Sequence, residues 1–266
     1  MEKQKKNASD SDLTFDRRVK ILEILDIQGQ IKIKELSEIF NVSEVTIRND
    51  LTKLEEKDLL IRTRGGGIKT QWVSIDYHLK EKAKRHLIEK QAIGKKTIEL
   101  IKDNDTIILD SGTTTLEVAK NLSIFKNITV ITNALNIISQ LIHYPNIKVI
   151  VLGGNLRNSS LSMIGPIADV NLKNYYCDKF IMGVDSINSQ HGISTPTIEE
   201  AHLNRLMIDI SKEVIVVTDS SKFLRRSFAF IAPITKINTI VTDSKISASD
   251  LQNLQSANIR TIIVNV

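Results

Sequence analysis

The chain has 266 residues, 41% of them apolar and 25% charged, with a formal net charge of +5. This length and balance suit two domains, each with its own core, and exclude a fibrous or disordered polypeptide. A lone cysteine, Cys177, excludes an internal disulfide and a cysteine metal cluster, and fits a reducing compartment.

Residues 1–12 read as a polar tail without the apolar core of a secretion signal. No later run reaches the roughly 18 apolar residues of a membrane helix. A cytoplasmic protein with no membrane partner is expected, associated with the nucleoid when it is on DNA.

Arg17 to Gln28 places Val19, Ile21, Leu22, Ile24 and Leu25 on overlapping helical positions, and Gly29 stops the helix. Lys34 to Phe40 predicts a second, shorter helix with Leu36, Ile39 and Phe40 turned inward. Asn41-Val42 is a tight connection. Ser43 is a good N-cap for a third helix to about Lys57, in which Ile47, Leu51 and Leu54 recur at i, i+4 and i+7. Three short helices with a minimal turn between the last two suit a helix-turn-helix.

From Leu59 to Ile68 the pattern changes to an apolar pair, Arg62-Thr63-Arg64 and the triplet Gly65-Gly66-Gly67. Glycines that permit positive φ predict a tight β-hairpin, the wing of a winged helix-turn-helix. The stretch 61–70 holds Arg62, Arg64 and Lys69 with no acid, whereas the first 70 residues as a whole are nearly neutral. The expected division is therefore a DNA-binding domain over 13–70, a basic helical linker over 71–96 and a second domain over 97–266.

In the second domain, β-branched runs at 106–109, 128–132, 148–152, 179–182, 214–218, 239–241 and 261–264 alternate with helical patterns at 116–122, 134–142, 197–210 and 249–255. Strands separated by helix-length segments predict a parallel sheet with helices on both faces, and hence an α/β fold overall.

The buried stripe of the third helix leaves Thr46, Arg48, Asn49 and Lys53 able to face outward. Arg forks to guanine, Asn pairs with adenine, and Thr or Lys holds a thymine methyl or a phosphate. Arg62 and Arg64 on the wing would reach phosphates or the minor groove. Glu44, Asp50, Glu55 and Glu56 on the same helix favour a merely solvated surface. The cap, the short turn and the glycine wing tip the balance to double-stranded DNA.

These residues carry a family resemblance. Ser43-x-x-Thr46-Ile47-Arg48-x-Asp50-Leu51, with an Arg at 17 or 18 and Arg-Gly-Gly-Gly downstream, resembles the DeoR family of bacterial regulators. Two positions depart from the family pattern: Asn49 replaces a second Arg, and Lys32-Ile33-Lys34 replaces the usual Ser or Thr cap of the second helix.

Leu109-Asp110-Ser111-Gly112-Thr113-Thr114-Thr115 leaves a strand and enters a helix, where free amides, the helix dipole and hydroxyls can converge on a phosphate. A plain helix cap explains the same turn equally well. Four further strand-end loops add polar groups: Thr132-Asn133, Gly153-Gly154-Asn155, Gly183-Val184-Asp185 and Asp219-Ser220-Ser221-Lys222. Ligands of open α/β sheets bind beyond the carboxyl ends of the strands.

The resemblance extends over these loops, apart from Ser186, where glycine commonly follows the Asp. It implies an effector domain with the fold of ribose-5-phosphate isomerase that senses a phosphorylated sugar. Ser111, Gly112, Thr113, Thr114 and Thr115 would hold the phosphate, and Asp110, Asp185, Glu200 and Lys222 the hydroxyls, with Asn133, Gly153 and Gly154 beside them. Gly192 to Pro196 and Glu199-Glu200-Ala201 resemble the branch regulating amino-sugar or galactitol use.

Five scattered histidines, with only Glu199 or Glu200 near His202, do not compose a metal site, and Cys177 reads as a structural thiol. No cofactor is expected. Asp185, Glu200 and Lys222 could in principle isomerise a sugar phosphate, but an isomerase has no use for a DNA-reading domain. A nonspecific DNA-coating protein would ignore sugar phosphates. The expectation is a repressor of a carbohydrate operon that is not an enzyme, acting as a dimer or tetramer because paired reading helices multiply affinity.

Overall fold

The computed structural model describes residues 17–18, 20–22, 24–25, 28–56, 60–68, 72–73, 79–223 and 226–266, and the chain divides into two units, Met1–Ile75 and Asp76–Val266. The expected tail, Val19, Lys57, Leu59, Lys69 and most of the first eight residues of the expected linker lie outside the described residues.

In the first unit, α1 is helical at residues 17–18, 20–22, 24–25 and 28, and Gly29 follows in the left-handed region at φ 73°. It buries Ile21 and Leu25. β1 (Gln30–Lys32), α2 (Ile33–Phe40), α3 (Glu44–Glu55), β2 (Ile61–Thr63) and β3 (Gly66–Ile68) complete the unit, with the strands in the antiparallel order β1-β3-β2. α3 forms where the cap predicts it: Thr46 N–H donates to Ser43 Oγ at 3.1 Å, and Ile47, Leu51 and Leu54 are buried.

Three expectations change here. Ile39 is exposed, and Ile33 takes the inward position with Leu36, because α2 begins one residue earlier than its charge pattern suggests. The absent side-chain cap of α2 is replaced by backbone, with Ile33 N–H donating to the Gly65 carbonyl at 2.9 Å. The glycine triplet does not serve positive φ, since none of its residues lies there. Gly66 and Gly67 are strand residues sandwiched between β1 and β2. A Cβ on Gly66 would stand 1.8 Å from the Ile31 carbonyl oxygen, so close approach of a third strand sets the requirement. That strand, β1, carries no alternating pattern long enough to read.

The second unit opens with α4 (Leu79–Lys84) and α5 (Leu87–Thr97). Its frame then runs β4 (Thr106–Leu109), α6 (Thr113–Lys120), β5 (Ile128–Thr132), α7 (Leu135–Leu141) and β6 (Ile147–Val151). A hairpin of β7 (Asn155–Arg157) and β8 (Ser162–Ile164) leads to α8 (Pro166–Leu172) and β9 (Cys177–Met182). β10 (Ser186–Asn188), β11 (Gly192–Thr195), α9 (Ile198–Asp209), β12 (Ser211–Val217), β13 (Ala229–Ala232), β14 (Thr239–Asp243), α10 (Ala248–Ser256) and β15 (Arg260–Val264) follow.

The main sheet is parallel throughout, in the order β15-β14-β12-β9-β4-β5-β6. Alternate strand residues feed two cores. Ile107, Leu109, Val130 and Ile181 pack with Ile93, Val118 and Ile137 of α5, α6 and α7. Ile108, Ile131, Phe180 and Met182 pack with Ala168, Met207 and Leu254 of α8, α9 and α10. Helices thus cover both faces, as a parallel sheet requires.

The segment expected as a linker contributes α5 to this core. Ile93 is fully buried, and Gly94 lets α6 approach so closely that a Cβ there would meet the Glu117 carbonyl carbon at 2.6 Å. The long basic face of the segment hides this apolar contact from a reading by composition. The chain runs outward from β4 in both directions, so the strand order reverses between β4 and β9. That crevice is where a ligand site belongs in such a sheet.

Candidate functional site

Two constellations emerge, one in each unit. In the first, α3 turns Arg48, Asn49 and Lys53 outward, while Thr46 sits half-buried at its start. Arg48 Nη2 pairs with Glu44 at 2.6 Å and Lys53 Nζ with Glu56 at 2.6 Å, both between exposed side chains. Such pairs are weak and exchange readily for a polyanion. Thr46 Oγ1 lies 2.9 Å from Ser43 Oγ, so its hydroxyl takes part in the cap.

The two wing arginines differ. Arg64 is exposed at the turn between β2 and β3. Arg62 folds back onto α3: its Nη1 donates to Thr52 Oγ1 at 2.7 Å, its amide donates to Glu55 Oε1 at 3.1 Å, and its Nε is buried. It braces the wing against the helix.

Asp50, read from sequence as one acid of a solvated face, is buried and accepts from Arg17 Nε and Arg18 Nε, each at 2.6 Å. The family-like spacing of these residues was the only sequence signal for this junction.

In the second unit, the reversal between β4 and β9 brings carboxylates together. Asp110 follows β4, Asp185 follows β9, and Glu200 lies in the first turn of α9. Thr195 links the last two, its hydroxyl lying 3.2 Å from Asp185 Oδ2 and 3.2 Å from Glu200 Oε2. Asp185 Oδ1 pairs with Lys82 of α4 at 2.6 Å, and Glu200 Oε1 with Arg157 of β7 at 2.7 Å.

The environments set their protonation apart. Burial, reinforced by Glu200 and Asp185, pushes the Asp110 carboxyl well above the usual carboxylate range, although Ser111 N–H donates to its Oδ1 at 2.7 Å. Burial likewise raises Glu200 in spite of Arg157. At Asp185 burial acts the same way but is outweighed by Lys82 and Lys222, which keep the carboxyl below its ordinary value. The site thus favours the protonated form at 110, which can donate to or accept from a hydroxyl, more than at 185, whose charged form accepts.

Lys222 ends the turn after β12 beside Asp219. Burial opposes the Asp219 charge, but Lys222, His86 and Lys90 bring it down to about 2. Lys90 of α5 is buried and lowered to about 8 by that burial, partly offset by Asp219.

The Gly-Thr-Thr-Thr turn opens α6. Ser111 and Gly112 are half-buried, Thr113 and Thr114 are buried, and Thr115 is fully enclosed with its hydroxyl unpartnered. A Cβ on Gly112 would stand 3.0 Å from Thr115 Oγ1, so Thr115 supports the turn from beneath. Asn133 pins β8, donating from Nδ2 to the Met163 carbonyl at 3.0 Å and accepting from Met163 N–H at 2.7 Å. Gly153 and Gly154 have positive φ, and a Cβ on Gly154 would meet the Ile164 carbonyl oxygen at 2.6 Å. These three residues shape the hairpin behind the site.

Sequence reasoning missed Lys82, Arg157 and Thr195 as site residues. Lys82 is one of four basic residues between 80 and 85, and nothing local distinguishes it. Among the described residues no group of three or more His, Cys, Asp or Glu could hold a metal, and no helix is long and apolar enough to cross a membrane.

Residues 17–70 match a family model described as the DeoR-like helix-turn-helix domain, and residues 85–244 match the DeoR C terminal sensor domain. Similar known proteins include the transcriptional repressor AccR of Agrobacterium fabrum, 38% identical over 232 residues, 87% of this chain and 90% of that one. The HTH-type transcriptional repressor GlcR of Bacillus subtilis is 35% identical, over 86% of this chain and 88% of its own. The HTH-type transcriptional regulator GolR of Listeria innocua is 33% identical, over 91% and 96%. Among solved structures, ribose 5-phosphate isomerase A of Methanocaldococcus jannaschii covers 50% of this chain and 53% of its own, at 16% identity and a TM-score of 0.38. The parallel sheet itself, rather than this likeness, carries the fold.

Proposed function

This chain belongs to the DeoR family of transcriptional regulators, and from that membership we propose that it represses a carbohydrate-utilisation operon and leaves its operator when a phosphorylated sugar binds. The observation that carries the sensor half is the cluster at the strand reversal. Asp110 with its raised carboxyl, Asp185 with its lowered one and a Thr195 bridge to Glu200 offer hydrogen bonds to a polyol, with Lys222 nearby for a further hydroxyl, and Lys82 and Arg157 offer cations for its phosphate.

Ser111 to Thr114 and the start of α6 lie next to Asp110 and take the phosphate, with Asn133, Gly153, Gly154 and Thr115 shaping the surroundings. On α3, Arg48 and Asn49 read base edges and Thr46 and Lys53 hold the backbone. Arg64 reaches a phosphate, and Arg62 keeps the wing in place. The protein acts in the cytoplasm as a dimer or larger oligomer, which the pairing of half-sites favours.

The site binds without turnover. Nothing in a sensor's task calls for proton transfer. The test is fluorescence anisotropy of a duplex taken from upstream of the protein's own gene, titrated with phosphorylated pentoses and hexoses. One of them should weaken binding, while unrelated DNA competes poorly. Unchanged affinity across the whole panel contradicts the effector class, and isomerisation of any panel member at ordinary enzymatic rates contradicts the pure sensor.

A further inference from the structure

Among the bonds that hold helix α4, three lie in or beside the sensor site. Its first amide, Leu79 N–H, donates to the Ser159 carbonyl at 2.8 Å, in the turn of the same hairpin whose Arg157 pairs with Glu200. Lys82 Nζ pairs with Asp185 Oδ1 in its middle. At its far end, Lys90 reaches back from α5 and donates to the carbonyls of Lys82 and Arg85, the latter at 2.6 Å.

The three ties are unequal. The Leu79 and Lys90 ties end on backbone carbonyls that an entering sugar has no reason to displace. The Lys82 pair is partly open to solvent, at 21% and 17% side-chain exposure, and joins two groups that a sugar phosphate would attract separately. Its hydroxyls compete for the carboxylate and its phosphate for the ammonium. A helix of six residues does not stand alone in water, so α4 depends on its ties to the rest of the unit, these three among them. It is also the first helix after the division at Ile75.

We propose that Lys82 is a built-in occupant of the sensor site, holding Asp185 until a sugar phosphate separates the pair and frees α4, the stretch of chain that follows the DNA-reading unit. The proposal rests on the sensor reading above. In the unliganded protein the Lys82–Asp185 pair keeps α4 docked. Breaking it by substitution therefore reproduces the effector's action.

The experiment uses the full chain without ligand, carrying Lys82→Met, Lys82→Arg, Asp185→Asn or Lys82→Met with Asp185→Asn. Amide hydrogen exchange over residues 79–90 and affinity for the upstream duplex are both measured. Lys82→Met should speed exchange in α4 about tenfold and weaken DNA binding at least about fivefold, the lower end of an allosteric coupling. Asp185→Asn should match it, the double variant should add nothing further, and Lys82→Arg should stay near wild type. Wild-type exchange in Lys82→Met, or additive effects in the double variant, would overturn the proposal.

Should Lys82→Met fail to fold, Lys82→Gln carries the same comparison. A parallel arm adds ribose 5-phosphate or galactose 6-phosphate to the wild type, where a sugar that binds should accelerate the same amides. A sugar that binds and leaves them unchanged overturns the latch. Absence of any binding counts against the sensor reading instead, while the ligand-free variants still decide the latch.

Discussion

Arg17 and Asp50 lie 33 residues apart in sequence, yet Arg17 Nε donates to Asp50 Oδ2 at 2.6 Å, with the carboxylate only 2% exposed. Arg18 takes the other oxygen at the same distance. The start of α1 is thereby fastened to the back of the helix whose opposite face carries Arg48 and Asn49. Asp50→Ala leaves two partly exposed guanidiniums without their anion and should cost the first unit about 1.5 to 3 kcal/mol, the range for hydrogen bonds to a charged group. Urea unfolding followed in the isolated transition of that unit checks the figure, and a loss under about 1 kcal/mol would show that solvent replaces the pair.

The roles proposed for Arg48 and Arg64 divide base reading from phosphate contact. Arg48 gives up only an exposed pair with Glu44 on entering a groove. Arg48→Ala should lower affinity by about 1 to 3 kcal/mol and relax preference at one base position, whereas Arg64→Ala should weaken all duplexes alike and reduce the salt slope by about one. Competition with base-substituted duplexes at two salt concentrations measures both. Equal behaviour of the two variants contradicts the assignment.

Gly66→Ala tests the third strand of the wing. The added methyl has nowhere to go, with the Ile31 carbonyl oxygen at 1.8 Å from its ideal position. β1 must move away or the wing must open, a change of about 3 kcal/mol, at the upper end of ordinary single substitutions. Gly65→Ala meets nothing within 4 Å and should be nearly silent. Melting temperatures of the two variants make the comparison, and similar losses would mean that the wing requires glycine for flexibility instead.

Lys90 gives the second unit a pH signature. Burial lowers its folded value to about 8 from the ordinary 10.5. Between those values the unfolded chain holds a proton that the folded chain has shed, so stability rises with pH across that window and is flat below it. In Lys90→Met the rise disappears. Denaturation midpoints of both proteins at pH 8 and pH 10 should diverge in this direction, and parallel slopes would contradict the buried ammonium.

The sequence by itself determined the kind of protein. Ser43, Ile47, Leu51 and Leu54 specify α3 through local capping and a helical apolar stripe, and β-branched runs separated by helix-length segments specify a parallel sheet. Both are short-range signals, so they are legible in one chain. Asp110 and Asp185 are legible as candidates because they follow strand ends, where such sheets bind ligands, and because the family resemblance runs through those loops.

Only tertiary structure decided which charges work together. Lys82 is one of several lysines until α4 lays it against Asp185, and Asp50 is one of several acids until α1 brings two arginines to it. Arg62 looks free to meet DNA until Thr52 engages it, and Gly66 looks like a turn glycine until β1 arrives beside it. The partner comes from a different element in each case, for Lys82, Asp50 and Gly66 from a distant part of the chain. An ion pair or a steric limit depends on distance in space, which local spacing does not encode.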